Sequence, residues 1–216
     1  MDWTPVPRPT RDDLRGEHVL LRPVRESDAP ALFEASRDER IWTYLPYGPP
    51  AGPEELWGIY ADADAGDDPL FFTLARLPGE APQGIASYLR ITPEHGVIEI
   101  GHIWFGTPLQ RTTAATEAIY LLARHAFDKL GYRRLEWKCN ALNAASRRAA
   151  ERFGFTFEGV FRQHMIVKGE NRDTAWYSIL DGEWPVVRAG FEGWLDPANF
   201  DADGRQRRTL ESVRGQ

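Results

Sequence analysis

The sequence predicts an α/β (α+β) fold, a mixed and twisted sheet of about seven strands flanked by helices. Three observations carry this. Strand-like runs at Leu70 to Arg76, Gly84 to Ile91 and Val97 to Phe105 are separated only by the turn residues Pro78-Gly79 and Pro93-Glu-His-Gly96, the pattern of an antiparallel meander. From Thr112 to Leu130, apolar residues at 115, 118, 119, 122 and 126 follow helical spacing, and an alternating run, Arg133 to Asn140, comes next. A strand–helix–strand unit after a meander makes the sheet mixed, because parallel neighbours need a crossover. Finally, 216 residues suffice for one substantial core and are tight for two.

The remaining elements follow in order. His18 to Pro23 reads as a first strand, and Ser27 and Asp28 offer N-caps for a helix with Ala31, Leu32 and Ala35 on its apolar side. Tyr44 to Pro53 is too rich in Pro and Gly to be regular, and a short helix from Pro53 to Tyr60 is expected after it. Gly131 supplies the C′ residue of the long helix. Along Arg133 to Asn140, Leu135, Trp137 and Cys139 share one face. Asn143 caps a helix that stops at Gly154, and strands at Phe155 to Arg162 and Thr174 to Leu180 are joined across Lys168-Gly-Glu-Asn. Trp184 to Leu195, with Phe191 and Trp194, either caps the sheet or packs on a second subunit. One domain over residues 1–195 is expected, followed by a polar tail, 196–216, too poor in apolar residues to be well ordered.

Composition excludes several classes. The net charge of -6 argues against broad phosphate-backbone binding, so no nucleic-acid partner is expected. No run approaches a membrane span, and Met1 to Thr10 lacks an apolar leader. The single cysteine, Cys139, allows no internal disulfide, and no Cys/His cluster suggests a metal, which fits a reduced, cytoplasmic setting. Eight Trp and eleven Phe point to a well-filled aromatic core or an aromatic-lined cleft.

The most informative segment runs from Glu99 to Ala118: a buried strand, a short loop of small and polar residues, then a helix start. The unpaired amides and positive dipole end of a helix N-terminus make an anion site, and small residues at 112 to 115 let a diphosphate approach. The same features also suit an ordinary strand-to-helix loop.

Here the sequence resembles the GNAT acetyltransferase superfamily, especially the branch of the ribosomal-protein N-terminal acetyltransferases. Gln110, Arg111, Thr112, Thr113, Ala114 and Ala115 occupy the family's Gln/Arg-x-x-Gly-x-Gly/Ala pattern, with Thr116-Glu117-Ala118 after it; Thr113 stands where the family usually has its first glycine. Asn143-Ala-Ala-Ser146 through Gly154-Phe155 is similar to a second family element, and Leu21-Arg22-Pro23 with Asp28-Ala29 agrees. The likeness covers about residues 17 to 184.

The resemblance implies acetyl-CoA as co-substrate, lying between the fourth and fifth strands, and a primary amine as acceptor. Its pyrophosphate would rest on residues 110 to 115, and its pantetheine arm on the main chain of Ile103, Trp104 and Phe105 and on Asn143. Glu99 is the first candidate for general base and His102 the second; alternation puts them on opposite faces unless a bulge re-aims the chain. A carboxylate paired with a cation and a structural histidine are the competing readings. Ser146 is the candidate proton donor to the departing thiolate. Trp42, Tyr44 and Tyr47 fall in the loop that lines the acceptor side in this family; a loop packed on its own aromatics is equally compatible. Direct attack in a ternary complex is expected, and dimers are common in the family. Two alternatives stand beside this: a transferase using another acyl-CoA such as succinyl-CoA, and a non-catalytic acyl-CoA-binding module, which Thr113 would favour.

Overall fold

The computed structural model describes residues 3–64 and 66–215. Its sheet runs β1 (Leu14–Arg15), β2 (Val19–Pro23), β3 (Leu70–Arg76), β4 (Ala81–Thr92), β5 (Val97–Phe105), β6 (Arg134–Asn140), β8 (Glu170–Leu180), β7 (Thr156–Val167) in spatial order. Every neighbouring pair is antiparallel except β5 and β6, which makes the sheet mixed as predicted. The strand beyond the expected seven is the two-residue β1. β7 and β8 run further than their apolar content suggests, because Lys168 and Gly169, at φ 53 and 78, close a tight two-residue turn between them.

Two cores face opposite sides of the sheet. The larger holds α3 (Thr113–Arg124), α4 (Ala144–Phe153) and α5 (Trp184–Leu195) against Ile98, Ile100, Leu135 and Tyr177. The smaller packs α1 (Ala29–Ala35) and α2 (Pro53–Asp64) over Phe71, Ile85 and Trp104. The predicted helix over 112–130 is α3 followed by a π turn, His125–Lys129. Among the described residues no helix is long and apolar enough to cross a membrane.

Two buried acids explain family-like residues that periodicity leaves without a role. Asp28 receives both guanidinium nitrogens of Arg22 (2.7 and 2.6 Å) and the Thr73 hydroxyl (2.8 Å), joining the start of α1 to β2 and β3. The Glu117 carboxylate on α3 accepts the amides of Glu17, His18 and Val19 at 2.9, 2.7 and 3.0 Å, which leaves no room for a side chain at Gly16.

At the C-terminus one open alternative is resolved and one expectation changes. Of the two places offered for Trp184 to Leu195, α5 takes the cap: Trp184, Phe191 and Trp194 are buried, and Trp184 stacks on Phe127 at 5.1 Å. The tail expected to be poorly ordered is folded. Asp196 caps a single 3-10 turn, Pro197–Asn199, and α6 (Leu210–Arg214) packs on α5 with Leu210 fully buried. Buried Asn199 is satisfied by the Trp194 and Arg208 backbone, and Gln206 accepts from the Trp194 indole at 2.8 Å. The segment has few apolar residues, but they sit against α5, and its polar groups find partners.

Candidate active site

The site arises where the parallel pair fails. β5 and β6 are in register only at Val97–Glu99 against Arg134–Glu136, while β4 follows β5 to Phe105 and β8 follows β6 to Asn140. Beyond Glu99 the two strands diverge and open a cleft of about 1010 Å³. Ile103, Trp104 and Phe105 line one wall; Trp137, Cys139, Asn143 and Ser146 line the other.

On the α3/α4 side, Gln110, Arg111, Thr112 and Ala115 reach the cleft. Thr112 is the N-cap of α3, accepting from the Ala115 amide at 3.2 Å. Gln110 closes the loop by donating to the Phe105 carbonyl at 2.8 Å. The left-handed residue of this loop is Arg111, at φ 59, whereas Thr113 is the first residue of the helix, where a Cβ costs nothing. The side chains of Thr113 and Ala114 do not line the cleft; what these positions offer is first-turn amides without intrahelical partners. Arg152, Arg205 and Gln206 add to the walls, the last two from the tail.

Asn143 caps α4, taking the Ser146 amide at 3.0 Å, and lines the cleft as well. Ser146 Oγ accepts the Trp137 indole N–H at 3.0 Å, which leaves the hydroxyl proton for a second partner. Burial pushes the Cys139 thiol up, and a hydrogen bond with Ser146 pulls the other way without cancelling the rise, so it stays a thiol.

The opposite face carries the acid. Glu99 is 3 % exposed, and its Oε2 lies 2.7 Å from Arg90 and 3.0 Å from Lys138. Lys138 also meets Glu136 at 2.7 Å. Burial raises the Glu99 pKa, and the charges of Lys138 and Arg90 pull it back without cancelling the rise. Arg90 reaches Glu99 from a bulge in β4, at φ 48.

A second bulge settles the direction of His102. His102 and Ile103 together oppose Ala86, and His102 takes φ 48. Its ring stacks on Phe71 at 5.2 Å, on the α1/α2 face, which is also the face of Glu99 and Gly101. Burial, then the cations Arg90 and Arg172, push its pKa down to about 4, so the imidazole is neutral at neutral pH.

The loop aromatics divide. Tyr44 lines the cleft and donates to the Leu142 carbonyl at 3.2 Å. Tyr47 lies behind His102, 6.3 Å between ring centres, and is nearly buried beside Tyr60. Trp42 does not reach the cleft: it is 1 % exposed in the smaller core and donates to the Ser36 carbonyl. Sequence reasoning missed Arg90, Lys138, Trp137, Arg172 and Arg205. Glu136 and Lys138, polar at alternate positions of a central strand, were a legible signal; the bulge that aims Arg90 was not.

Residues 18–156 match the family model of the acetyltransferase (GNAT) domain. A GCN5-related N-acetyltransferase from Brucella melitensis superposes with a TM-score of 0.97 and 46% identity, covering 100% of this chain and 99% of that one. A protein described as a probable acetyltransferase of the GNAT family, from Chromobacterium violaceum, gives 0.80 and 41%, covering 85% and 93%. The uncharacterised N-acetyltransferase YnaD of Bacillus subtilis is 25% identical over 168 residues, 78% of this chain and 96% of YnaD.

Proposed function

We propose that this chain, which belongs to the GNAT acetyltransferase family, transfers the acetyl group of acetyl-CoA to a primary amine by direct attack in a ternary complex. Family membership supports acyl transfer from an acyl-CoA; the acetyl group and the amine acceptor are our reading. The observation that carries it is the divergence of β5 from β6, which sets a carboxylate on one face of the gap and a hydroxyl donor on the other.

The residues present fit acetyl-CoA. First-turn amides of α3, with Arg111, Arg152 and Arg205 nearby, suit its phosphates, and the main chain of Ile103, Trp104 and Phe105 suits the amides of its arm. When bound, it supplies a thioester whose carbonyl the amine attacks. Glu99 takes a proton from the incoming ammonium through a water, its raised pKa making it a better base than an exposed carboxylate. An amide among Ile103, Trp104 and Phe105 receives the oxyanion. Ser146, at the N-terminal end of α4 and oriented by Trp137, gives its proton to the departing thiolate and recovers one from the acylated nitrogen, which restores the hydroxyl and leaves a neutral amide. Neutral His102 walls the acceptor side with Tyr44, with Tyr47 packed behind it, and is the second candidate for the base.

The non-catalytic alternative loses its main support, because Thr113 sits in ordinary helical geometry. A cytoplasmic, metal-free enzyme, homodimeric as the family resemblance implies, completes the reading; light scattering after size exclusion tests the dimer. Calorimetric titration with acetyl-CoA, CoA and succinyl-CoA tests the rest. Micromolar acetyl-CoA binding, on the order of -8 kcal/mol, is expected, and no binding of any acyl-CoA overturns the proposal.

A further inference from the structure

The acceptor face of the cleft holds a cation without a counterion. Arg172, on β8, lines the cleft, yet its Nε is buried without a hydrogen-bond partner. Among the described residues no carboxylate forms an ion pair with it, in contrast to its neighbours. Arg90 and Lys138 are held by Glu99, Lys138 also by Glu136, and Arg40 at the rim by Asp38. Asp68, the other acid near this face, accepts the backbone amides of Arg90 and Ile91 at 3.0 and 2.9 Å.

The pairing register fixes which face Arg172 serves. Trp176 on β8 lies opposite Lys138, and Thr174 and Arg172 follow at steps of two, so Arg172 points to the face of Lys138 and Glu99. Cys139 and Trp137, which lead to Ser146, point to the other face. Burial lowers the Arg172 pKa most, Cys139 and then Glu99 raise it and Arg90 lowers it, and Arg172 in turn depresses His102, so Arg172 lies within reach of Glu99, Arg90 and His102 on this face and of Cys139 at the edge of the other.

A half-buried guanidinium whose Nε gives up water without gaining a partner is unfavourable, and its planar fork matches a planar oxyanion. Arg90 and Lys138 are matched on this face by Glu99 and Glu136, so among the described residues Arg172 is the cation left without an ion pair. A cation at this point favours the neutral form of an amine bound beside it, which direct attack requires.

We propose that the acceptor carries, besides its reactive amine, an anionic oxygen group that Arg172 binds, a carboxylate as in an amino acid or a phosphate. This rests on the acetyltransferase reading and narrows its acceptor. It makes Arg172 a specificity-determining residue rather than a catalytic one.

The test measures thiol release from acetyl-CoA with the twenty amino acids, the amide of each, O-phosphoethanolamine, ethanolamine and spermine. At least one acid is expected to exceed its own amide about tenfold in kcat/KM, mostly through KM, as a charge-assisted hydrogen-bonded pair implies. A corresponding preference for O-phosphoethanolamine over ethanolamine would instead name phosphate as the anion. Arg172→Met narrows the gap about fivefold or more, and Arg172→Lys restores part of it. The acid-against-amide comparison in the unaltered protein stands even where Arg172→Met fails to fold. Spermine or amides accepted as well as the acids, an unchanged gap in Arg172→Met, or no turnover of any anionic member despite acetyl-CoA binding overturns the assignment and keeps the transferase. Preference for succinyl-CoA that disappears in Arg172→Met moves the cation to the acyl group and likewise overturns it. Absence of acetyl-CoA binding by calorimetry removes the transferase reading and this assignment together.

Discussion

The indole N–H of Trp137 on β6 donates to the Ser146 hydroxyl oxygen on α4 at 3.0 Å. A serine hydroxyl has one proton and two lone pairs, so an indole occupying one lone pair biases the proton outward. Ser146→Ala should therefore lower kcat about a hundredfold, within the range of general acid catalysis. The Kd for acetyl-CoA should move much less, because the lost interaction belongs to the transition state. Trp137→Phe keeps the packing and removes the donor, and should give a smaller fall, about fivefold, in kcat. Pre-steady-state and steady-state kinetics with calorimetry separate the two quantities; unchanged turnover in Ser146→Ala removes it from the mechanism.

Glu99 is balanced between burial, which raises its pKa, and the cations Lys138 and Arg90, which lower it. A base loses activity as it protonates, so kcat/KM should fall on the acid side of a limb set by Glu99. Arg90→Gln removes one opposing cation, and the limb should move to higher pH. Glu99→Gln should abolish that limb and cost about a hundredfold in rate. An acid limb that survives in Glu99→Gln would turn attention to His102.

Thr113 occupies the family's glycine position, yet the left-handed dihedral belongs to Arg111. Thr113→Gly should leave the acetyl-CoA Kd within about twofold and lower stability by about 0.5 kcal/mol, the ordinary cost of glycine in a helix. Calorimetry and urea melts read both. Strong tightening would mean that the threonine obstructs the diphosphate.

Leu210 is fully buried in the tail helix against α5. Leu210→Ala should cost about 2–5 kcal/mol, as for other buried leucines, measured by denaturant midpoint. The tail also carries Arg205 and Gln206 to the cleft, so the same variant should weaken acetyl-CoA binding. A stability loss of less than about 1 kcal/mol would mean that the tail is only loosely attached.

The tail shows why some of the molecule was legible and some was not. β3, β5 and the cap at Asn143 follow from patterns within a few residues, and the structure places them where the sequence does. The family-like motifs located the cleft because they lie on the strands and helix starts that line it. Leu210 and Asn199 look like tail residues until α5 is there to receive them, and no local period encodes that contact. His102 shows the same limit inside the site: strict alternation aims it away from Glu99, and only the bulge opposite Ala86 turns it round. Trp42 failed for the opposite reason, since an aromatic in a Pro-rich loop reads equally as wall or as core, and here it is core.

His102 predicts how stability depends on pH. Its folded pKa is about 4, against about 6.5 for an unperturbed imidazole. A depressed histidine pKa means that the unfolded chain takes up the proton first. The native state therefore keeps its full advantage above pH ~6.5 and loses it progressively as pH falls toward ~4. The loss approaches about 3 kcal/mol at most, since the native state forfeits about 1.4 kcal/mol for each pH unit crossed between those two values. His125, also depressed by burial, adds to the same slope. Glu99 acts with the opposite sign: its raised pKa lets the native state bind a proton before the unfolded chain does, which favours folding as pH falls through its raised folded value. Urea midpoints at pH 7, 6 and 5 should therefore fall with acid in the unaltered protein, and His102→Gln should flatten part of that fall. A slope unchanged in His102→Gln would mean that the ring takes up its proton as readily in the folded protein as in the unfolded chain, which would strengthen His102 as a candidate for the base.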